Sequence, residues 1–309
     1  MKVLLTGGAG FIGSHLARRL VARGHHVVIV DDLSTGRREN VPAGCPLLEL
    51  DAGDPATMRA LQPVDAVCHF AAQSSGPLSD EMPDVDLRSN AMSTLLLSRW
   101  CLEQDIHRFV YASSMAVYGN PAASPVTEDA PCFPLSYYGV SKLTSEHLLR
   151  VAARDGLRPT CLRFFSVYGP GQNLDNVKQG IVSIYLAYLL RSMEVPVTGS
   201  LDRFRDLVHV DDVVSLCVEA LERASTPALV YNVAGGRPIT VRELLARLME
   251  AVGAPPDFPI RELAGSPSDQ FGLYADISRA RADFGWQPTT GLIEGLRDMA
   301  AWAAAVPTR

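Results

Sequence analysis

Short apolar runs and longer amphipathic stretches alternate along the first half of the chain. Six runs rich in β-branched or aromatic residues predict buried strands, at residues 3–5, 27–30, 47–50, 66–70, 109–112 and 160–164. Stretches with helical spacing cover residues 11–23, 84–104 and 138–153, and Gly24 is a stop signal for the first of them. This alternation predicts an α/β fold with a doubly wound parallel Rossmann sheet.

The pattern changes after about residue 166. A turn-rich segment at residues 169–173 precedes short strand-like pieces, at residues 195–197, 207–210 and 231–233. We therefore expect a Rossmann domain over residues 1–165, to which the chain returns around residues 207–235. A smaller α/β C-terminal lobe would consist of residues 166–206 and 236–309.

The composition is that of a soluble globular protein. Hydrophobic residues make up 47% of the chain, and the formal charge of −6 provides no basic face for nucleic acid. We expect no membrane contact, because no apolar run reaches the roughly 18 residues of a membrane span and no signal peptide is recognisable. The six cysteines form no CxxC pair, so we expect no metal site and a reduced, cytoplasmic location.

A glycine-rich turn links the first predicted strand to the first predicted helix. Residues 6–13 read Thr-Gly-Gly-Ala-Gly-Phe-Ile-Gly, which satisfies GxGxxG from Gly8 and GxxGxxG from Gly7. Such glycines let backbone N–H groups approach a pyrophosphate at a helix N-terminus, although an ordinary strand–helix turn can look the same. The predicted dinucleotide contacts in this turn are Gly7, Gly10, Phe11, Ile12 and Gly13.

Two acids follow the second predicted strand. Asp31 can accept hydrogen bonds from a ribose 2′-hydroxyl and would repel a 2′-phosphate, so the sequence favours NAD over NADP. Asp32 is included in the predicted cofactor site, with a solvated or capping role as its alternative. Arg37 and Arg38 are close enough to keep NADP as the other possibility.

Two adjacent tyrosines begin the helix predicted at residues 138–153. Tyrosine is a poor base, with an ordinary pKa of about 10, unless a nearby cation favours the phenolate. Tyr138 and Lys142 are four residues apart and share a helix face, whereas Tyr137 is paired with Ser141 and gains no cation. Tyr138 is therefore the candidate base, and Tyr137 is interpreted as a wall residue.

These motifs, in this order, resemble the extended short-chain dehydrogenase/reductase family, and within it the nucleotide-sugar epimerases and dehydratases. The matching segments are residues 6–13, 112–119, 138–142, 163–170, 205–206, 209–212 and 275–278. The resemblance implies NAD in the Rossmann domain, a nucleotide sugar, most often a UDP-hexose, in the cleft beneath the C-terminal lobe, and a homodimer.

The resemblance also implies roles for individual residues. Ser114 matches the catalytic Ser/Thr beside Tyr138 and Lys142; Ser113 is the weaker candidate. The further cofactor contacts that it implies are Asp51, Ala52, Phe70, Ala71, Ala72, Asn90 and Phe164, together with Tyr138 and Lys142. The substrate contacts that it implies are Gln73, Ser74, Ser114, Ser166, Gly180, Ile181, Val195, Val197, Arg205, Ser266, Asp269 and Leu273. Core packing is an equal alternative for Val195 and Val197.

The implied reaction is inversion at C4 of the sugar through a transient 4-keto intermediate. The related 4,6-dehydratases carry Asp-Glu after the catalytic Thr, whereas this chain has Met115 and Ala116, which cannot move a proton. Decarboxylating relatives usually carry a glutamate in the same region. We therefore predict an NAD-dependent 4-epimerase, with a dehydratase, a decarboxylase, an NAD(P)H-dependent ketone reductase or a non-catalytic NAD-binding protein as alternatives.

Three departures from the family pattern concern the substrate. Ser166 replaces the usual Asn, Tyr137 replaces the usual Pro, and the second arginine for the diphosphate is missing before Ala275, where Arg261 would substitute only if its loop folded back. Leu273 matches a position that limits bulk at sugar C2, and leucine is smaller than the tyrosine of restrictive members. We therefore expect that N-acetylhexosamine substrates fit.

Overall fold

The computed structural model describes residues 1–176, 180–265 and 271–305. The strands in these ranges are β1 (Lys2–Thr6), β2 (His26–Val30), β3 (Leu47–Leu48), β4 (Ala66–His69), β5 (Arg108–Ser114), β6 (Arg158–Phe164), β7 (Ser166–Tyr168), β8 (Val195–Thr198), β9 (Phe204–Arg205), β10 (Leu207–His209), β11 (Val230–Val233), β12 (Ile239–Thr240) and β13 (Ile260–Leu263). Seven of them form one sheet in the order β11-β6-β5-β4-β1-β2-β3.

The described helices pack on both faces of this sheet and in the C-terminal lobe. They are α1 (Phe11–Ala22), α2 (Pro55–Ala60), α3 (Gly76–Glu81), α4 (Pro83–Leu87), α5 (Ser93–Glu103), α6 (Tyr137–Ala152), α7 (Ile181–Leu190), α8 (Val210–Glu222), α9 (Val241–Val252), α10 (Ser278–Phe284) and α11 (Leu292–Ala305). On one face α1 packs against α8, and on the other α5 packs against α6. None of the described helices has the length and apolar character needed to cross a membrane.

The sheet is parallel throughout, which confirms the predicted doubly wound Rossmann fold. Its strand order reverses between β1 and β4. A crevice opens at the carboxyl ends of strands where the order reverses, and ligands of such sheets bind there. Thr6 and His69, the last residues of these two strands, mark that position.

The predicted helix over residues 84–104 is interrupted. A π-helical turn, Arg88–Met92, joins α4 to α5. Such turns often occur at functional sites. This turn places Asn90 inside the protein against α6, since its side chain contacts Ser141.

The C-terminal lobe is assembled from short strand pairs and helices. β7 pairs with β10, β8 with β13, and β9 with β12. A separate hydrophobic cluster that includes Leu186, Leu245 and Leu296 fills this lobe. The strand predicted at residues 207–210 is β10 and lies outside the seven-stranded sheet, whereas β11 forms an edge of that sheet.

Candidate active site

The glycine turn is shaped by close backbone approach. Gly7 has a φ of +71°, and a Cβ there would lie 2.5 Å from the nitrogen of Ala71. A Cβ on Gly13 would lie 2.1 Å from the oxygen of Gly7. Gly10 begins α1 with no side-chain cap among the described residues, so the first-turn N–H groups of Phe11 and Ile12 are available to an anion.

A cavity of about 700 Å³ opens beside this turn. It is lined by Gly10 and Phe11, by the loop at residues 34–37 and by the segment at residues 170–176. The glycine turn and the loop that follows Asp31 and Asp32 therefore border one space. Ser74, one of the predicted substrate contacts, also lines it.

Asp31 is buried at the end of β2 and is fixed by backbone donors. Its Oδ2 accepts from Ala9 N at 2.9 Å and its Oδ1 accepts from Leu33 N at 3.0 Å. Burial raises the pKa of Asp31 above its usual range, and these two N–H groups act in the opposite direction. An oriented carboxylate beside the cavity fits the ribose diol of NAD. Asp32 is exposed and accepts from Ser34, which fits its alternative local role.

The other predicted cofactor residues lie around the same edge of the sheet. Asp51 pairs with Arg88 at 2.8 Å and accepts from Gly53 N, so its carboxylate is already engaged within the protein. Ala52 is buried next to it. The Phe70 ring lies 5.9 Å from the Phe164 ring.

The backbone after β4 continues this edge. Ala71 N donates to the Thr6 hydroxyl at 3.1 Å, which ties the segment to the end of β1, and Ala72 is half-buried. The backbone of β1 and β4 thus meets the glycine turn where the pyrophosphate of a dinucleotide would lie.

Tyr138 and Lys142 occupy one face of α6. The Lys142 ammonium lies 5.8 Å from the centre of the Tyr138 ring and 4.9 Å from that of Tyr111. It donates to the carbonyl oxygen of Ala112 at 2.8 Å. Tyr137 points outward and is 50% exposed. The cation therefore stands beside Tyr138.

The same burial shifts both groups toward their neutral forms. It raises the pKa of Tyr138 to about 12, against a hydrogen bond with Ser114 that lowers it. Burial also lowers the pKa of Lys142 to about 8, against the charges of Asp86 and Glu146. Further positive charge beside Tyr138, such as an oxidised nicotinamide, would favour its phenolate.

The two serines at the end of β5 have different surroundings. Ser114 begins a short 3-10 turn, with its hydroxyl accepting from Ala116 N at 3.2 Å, and it lies beside Tyr138. Ser113 donates to Glu146 Oε1 at 2.6 Å in the interior. Met115 and Ala116 begin the 3-10 turn and bring no carboxylate to it.

A buried polar network beneath Ser113 was not predicted. Arg163 binds both carboxylate oxygens of Glu146, at 2.9 and 2.7 Å, and donates to the Glu128 carbonyl oxygen. Its guanidinium lies 4.7 Å from the centre of the Tyr118 ring. The position of Glu146, one helical turn after Lys142, was the available signal.

The predicted substrate residues lie in several different elements and have different surroundings. Arg205 lies in β9, and its Nη1 donates to the carbonyl oxygens of Phe204 and Phe271, at 2.7 and 3.4 Å. Ser166 begins β7 and is half-buried. Gly180 and Ile181 begin α7. Ser266 and Asp269 lie outside the described residues.

Four of the predicted substrate residues have side chains that are buried or already hydrogen-bonded within the protein. Val195 and Val197 are 0% exposed and Leu273 is 1% exposed, so all three are core residues that no ligand reaches directly in this conformation. Gln73 uses its amide within the protein, since Nε2 donates to Ser75 O in its own loop and to Asp86 Oδ2 on α4. Arg261 does not fold back but pairs with Glu194 at 3.1 Å.

Comparison with known proteins places this site in a family. The model of the NAD dependent epimerase/dehydratase family matches residues 3–234. The chain therefore belongs to that family, and the resemblance found in the sequence is confirmed. The family's cofactor, NAD, agrees with the glycine turn and with Asp31.

Several of the individual relatives are named as 4-epimerases. The chain is 37% identical to a UDP-glucose 4-epimerase of Azospirillum brasilense, over 97% of this chain and 91% of that protein. The structure of a Thermus thermophilus UDP-glucose 4-epimerase complexed with NAD matches with a TM-score of 0.91 and 35% identity, covering 99% of this chain and 100% of that chain. A UDP-N-acetylglucosamine 4-epimerase from Methanobrevibacter ruminantium, in complex with UDP-N-acetylmuramic acid, matches with a TM-score of 0.92, 27% identity and 98% coverage of each chain.

Proposed function

We propose that this protein is an NAD-dependent isomerase that inverts C4 of a nucleotide-activated hexose. The observation that carries the proposal is the grouping of Tyr138, Lys142 and Ser114 at the carboxyl edge of the sheet, with Met115 and Ala116 where a dehydratase needs acids. The NAD-dependent epimerase family and the three 4-epimerases reported above support the same class of reaction.

The chain supplies the proton transfers and the orientation of the substrate. Tyr138, as phenolate, removes the proton of the sugar 4-hydroxyl, and the Ser114 hydroxyl donates a hydrogen bond to the same oxygen. Lys142 stabilises the phenolate with its positive charge. NAD, held by the glycine turn and Asp31, would supply the hydride acceptor and donor for C4 of the sugar. Tyr138 then gives the proton back, and no net oxidation occurs.

The residues present fit the cofactor. The glycine turn leaves no room for a Cβ at Gly7 or Gly13, the N-terminus of α1 is open to the pyrophosphate, and Asp31 is fixed for the ribose. We assign Gly10, Phe11 and Ile12 to the pyrophosphate by this geometry. By the family resemblance, Asn90 is assigned to the nicotinamide side and Phe164 to the loop that joins the cofactor and the sugar.

We infer a UDP-hexose as substrate, with glucose, galactose and their N-acetyl or uronic acid forms as candidates. The relatives named for UDP-glucose and for UDP-N-acetylglucosamine support this range. The Leu273 side chain is packed in the core, so any limit that it sets on bulk at sugar C2 is indirect. A large loss of kcat/KM for the acetamido sugar relative to the plain hexose would argue against N-acetyl substrates.

We also infer a homodimer in the cytoplasm. Exposed apolar side chains cluster on α4, the π-helical turn and α6, and they include Val85, Leu87, Met92, Val140 and Val151. A patch of this kind marks an association surface, and the family resemblance suggests pairing through these helices. Free thiols on all six cysteines suit a reducing compartment.

The test is direct turnover without added cofactor. Purified protein is incubated with UDP-, dTDP- and GDP-hexoses, and products are identified by NMR at sugar C4. We expect the C4 epimer from the wild type, and about 10²- to 10⁴-fold less of it from Tyr138→Phe over the same time. A 4-keto-6-deoxy product would show a dehydratase, and turnover only with supplied NAD(P)H would show an ordinary reductase.

A further inference from the structure

Asp86 is a buried carboxylate that the proposed mechanism leaves unused. It lies on α4 and is 0% exposed. Its Oδ2 accepts from the amides of Gln73 and Asn90, each at 3.1 Å, and its Oδ1 has no hydrogen-bond donor among the described residues. Burying a carboxylate without full compensation is costly. A position that bears this cost at an active site is a candidate for a role in the chemistry.

The contacts of Asp86 lead to the catalytic turn of α6. The Asn90 amide that donates to Asp86 also donates to the Ser141 hydroxyl, at 2.9 Å. Ser141 in turn donates to the carbonyl oxygen of Tyr138 at 3.0 Å, and it directly precedes Lys142. One amide thus links the carboxylate to the helical turn that presents both Tyr138 and Lys142.

We propose that Asp86 is a positioning residue that sets the charge balance of the Tyr138–Lys142 pair. Its negative charge keeps Lys142 an ammonium ion and makes Tyr138 harder to ionise. Asp86 is offset while the nicotinamide carries its positive charge, and Tyr138 can then lose its proton. Once the positive charge of the nicotinamide is gone, the charge of Asp86 again disfavours the phenolate. Tyr138 then keeps the proton that the 4-keto sugar must receive back. The proposal rests on the epimerase function proposed above.

The titratable groups around Asp86 and the Tyr138–Lys142 pair lie on four elements, α3, α6, β4 and β5. Burial raises the pKa of Asp86, and the charge of Asp80 on α3 acts in the same direction, whereas a hydrogen bond with Ser141 and the charge of Lys142, both on α6, lower it. Tyr138, also on α6, is made harder to ionise by Asp86. Beyond Lys142 lies His69 of β4, whose pKa is lowered to about 3 by burial and by Lys142, so this imidazole is neutral. Tyr111 of β5 is also neutral, because burial raises its pKa well above the usual value.

Removing the negative charge of Asp86 fixes the direction in which the pKa values of Lys142 and Tyr138 should change. Lys142 loses an attraction, so its pKa falls. Tyr138 loses a repulsion, so its pKa falls as well. In the pH dependence of kcat, the acid limb reports ionisation of Tyr138 and the alkaline limb reports loss of the Lys142 proton. Both limbs should therefore move to lower pH, by about one unit each. A merely structural defect lowers kcat without moving both limbs in the same direction.

The experiment compares Asp86→Asn with Asp84→Asn in the holoenzyme. Asp84 is an exposed acid on the same helix, so it controls for a change of net charge. The first readout is the pH profile of kcat. The second is the ultraviolet absorption of the Tyr138 phenolate, titrated without sugar and taken as the difference from Tyr138→Phe. We expect Asp86→Asn to lower the Tyr138 pKa in both readouts. Asp84→Asn should leave the Tyr138 pKa unchanged in both.

Unchanged limbs and an unchanged phenolate titration in Asp86→Asn would overturn the proposal, because they would mean that Asp86 carries no charge that the pair senses. Asp86→Ser repeats the test if the asparagine variant does not fold. A wild type that does not epimerise any sugar would refute the proposed function. The sugar-free titration would still decide the role of Asp86, so the two failures are distinguishable.

Discussion

Two neighbouring tyrosines, alike in the sequence, have different surroundings in the structure. Tyr138 lies beside Ser114 and Lys142, whereas Tyr137 is half exposed. We expect Tyr138→Phe to lower kcat by about 10²- to 10⁴-fold, because it removes the proton-transfer group. Thermal stability and bound NAD should stay near wild type. Tyr137→Phe is the matched control and should keep full activity; equal losses in both variants would contradict the assignment.

Lys142 makes the reaction sensitive to alkaline pH. Burial lowers its pKa to about 8, so the ammonium that stabilises the Tyr138 phenolate is lost as pH rises through that value. We expect kcat to fall above about pH 8. In Lys142→Met the residual activity should lack this alkaline limb. A wild-type profile that stays flat through the same range would be inconsistent with the role given to Lys142.

Local spacing explains why some residues could be predicted and others could not. Tyr138 and Lys142 were predictable because four-residue spacing on a helix fixes a shared face. Asp86 and Ser141 are brought together only by the packing of α4 against α6, and no sequence pattern indicates it. Val195 and Val197 were left open between core and ligand. Their strand pairing and complete burial favour the core.

At the scale of elements, the junction of β1 and α1 depends on the absence of side chains. A Cβ on Gly13 would lie 2.1 Å from Gly7 O, whereas Gly24 at the end of α1 has no atom within 4 Å of its ideal Cβ. Gly13→Ala should therefore displace the turn and abolish retention of NAD, measured in the purified protein. Gly24→Ala should cost about 1–2 kcal/mol through its positive φ alone and retain NAD. Retention of NAD by Gly13→Ala would contradict the assigned pyrophosphate site.

The buried pair of Glu146 and Arg163 joins α6 to β6. Glu146→Gln leaves the Arg163 guanidinium without its charged partner in the interior, so we expect a loss of about 3–5 kcal/mol in the free energy of unfolding. Arg38→Met breaks an exposed pair with Glu49 and should cost about 1 kcal/mol or less. Urea unfolding of the two variants gives the comparison. Similar losses of unfolding free energy in both variants would mean that the buried Glu146–Arg163 pair is not a major contributor to stability.

The fold was predictable at the level of elements because strands and helices alternate with clear periodicity. The path of the chain between the Rossmann domain and the C-terminal lobe was harder to predict. β10 has the β-branched, buried pattern of a central strand but pairs with the short β7. Such a choice depends on tertiary packing and not on the pattern of a single strand. The π-helical turn at Arg88–Met92 has no apolar signature of its own and was likewise not predicted.

At the scale of the whole molecule, the apolar patch on α4 and α6 predicts association. Leu87→Glu places a charge inside the proposed interface and should convert the dimer to monomers in sedimentation equilibrium. Val21→Glu, on an exposed apolar position of α1, is the control and should remain dimeric. A wild type with the mass of one chain would contradict the inferred homodimer.

In the proposed reaction, the protein oxidises and re-reduces the same sugar carbon with a cofactor that it keeps. The most direct test supplies a UDP-hexose carrying deuterium at C4, in ordinary water and without added NAD, and follows the label by NMR. We expect the C4 epimer with the deuterium still at C4. Loss of the label, or its appearance at another carbon, would contradict it.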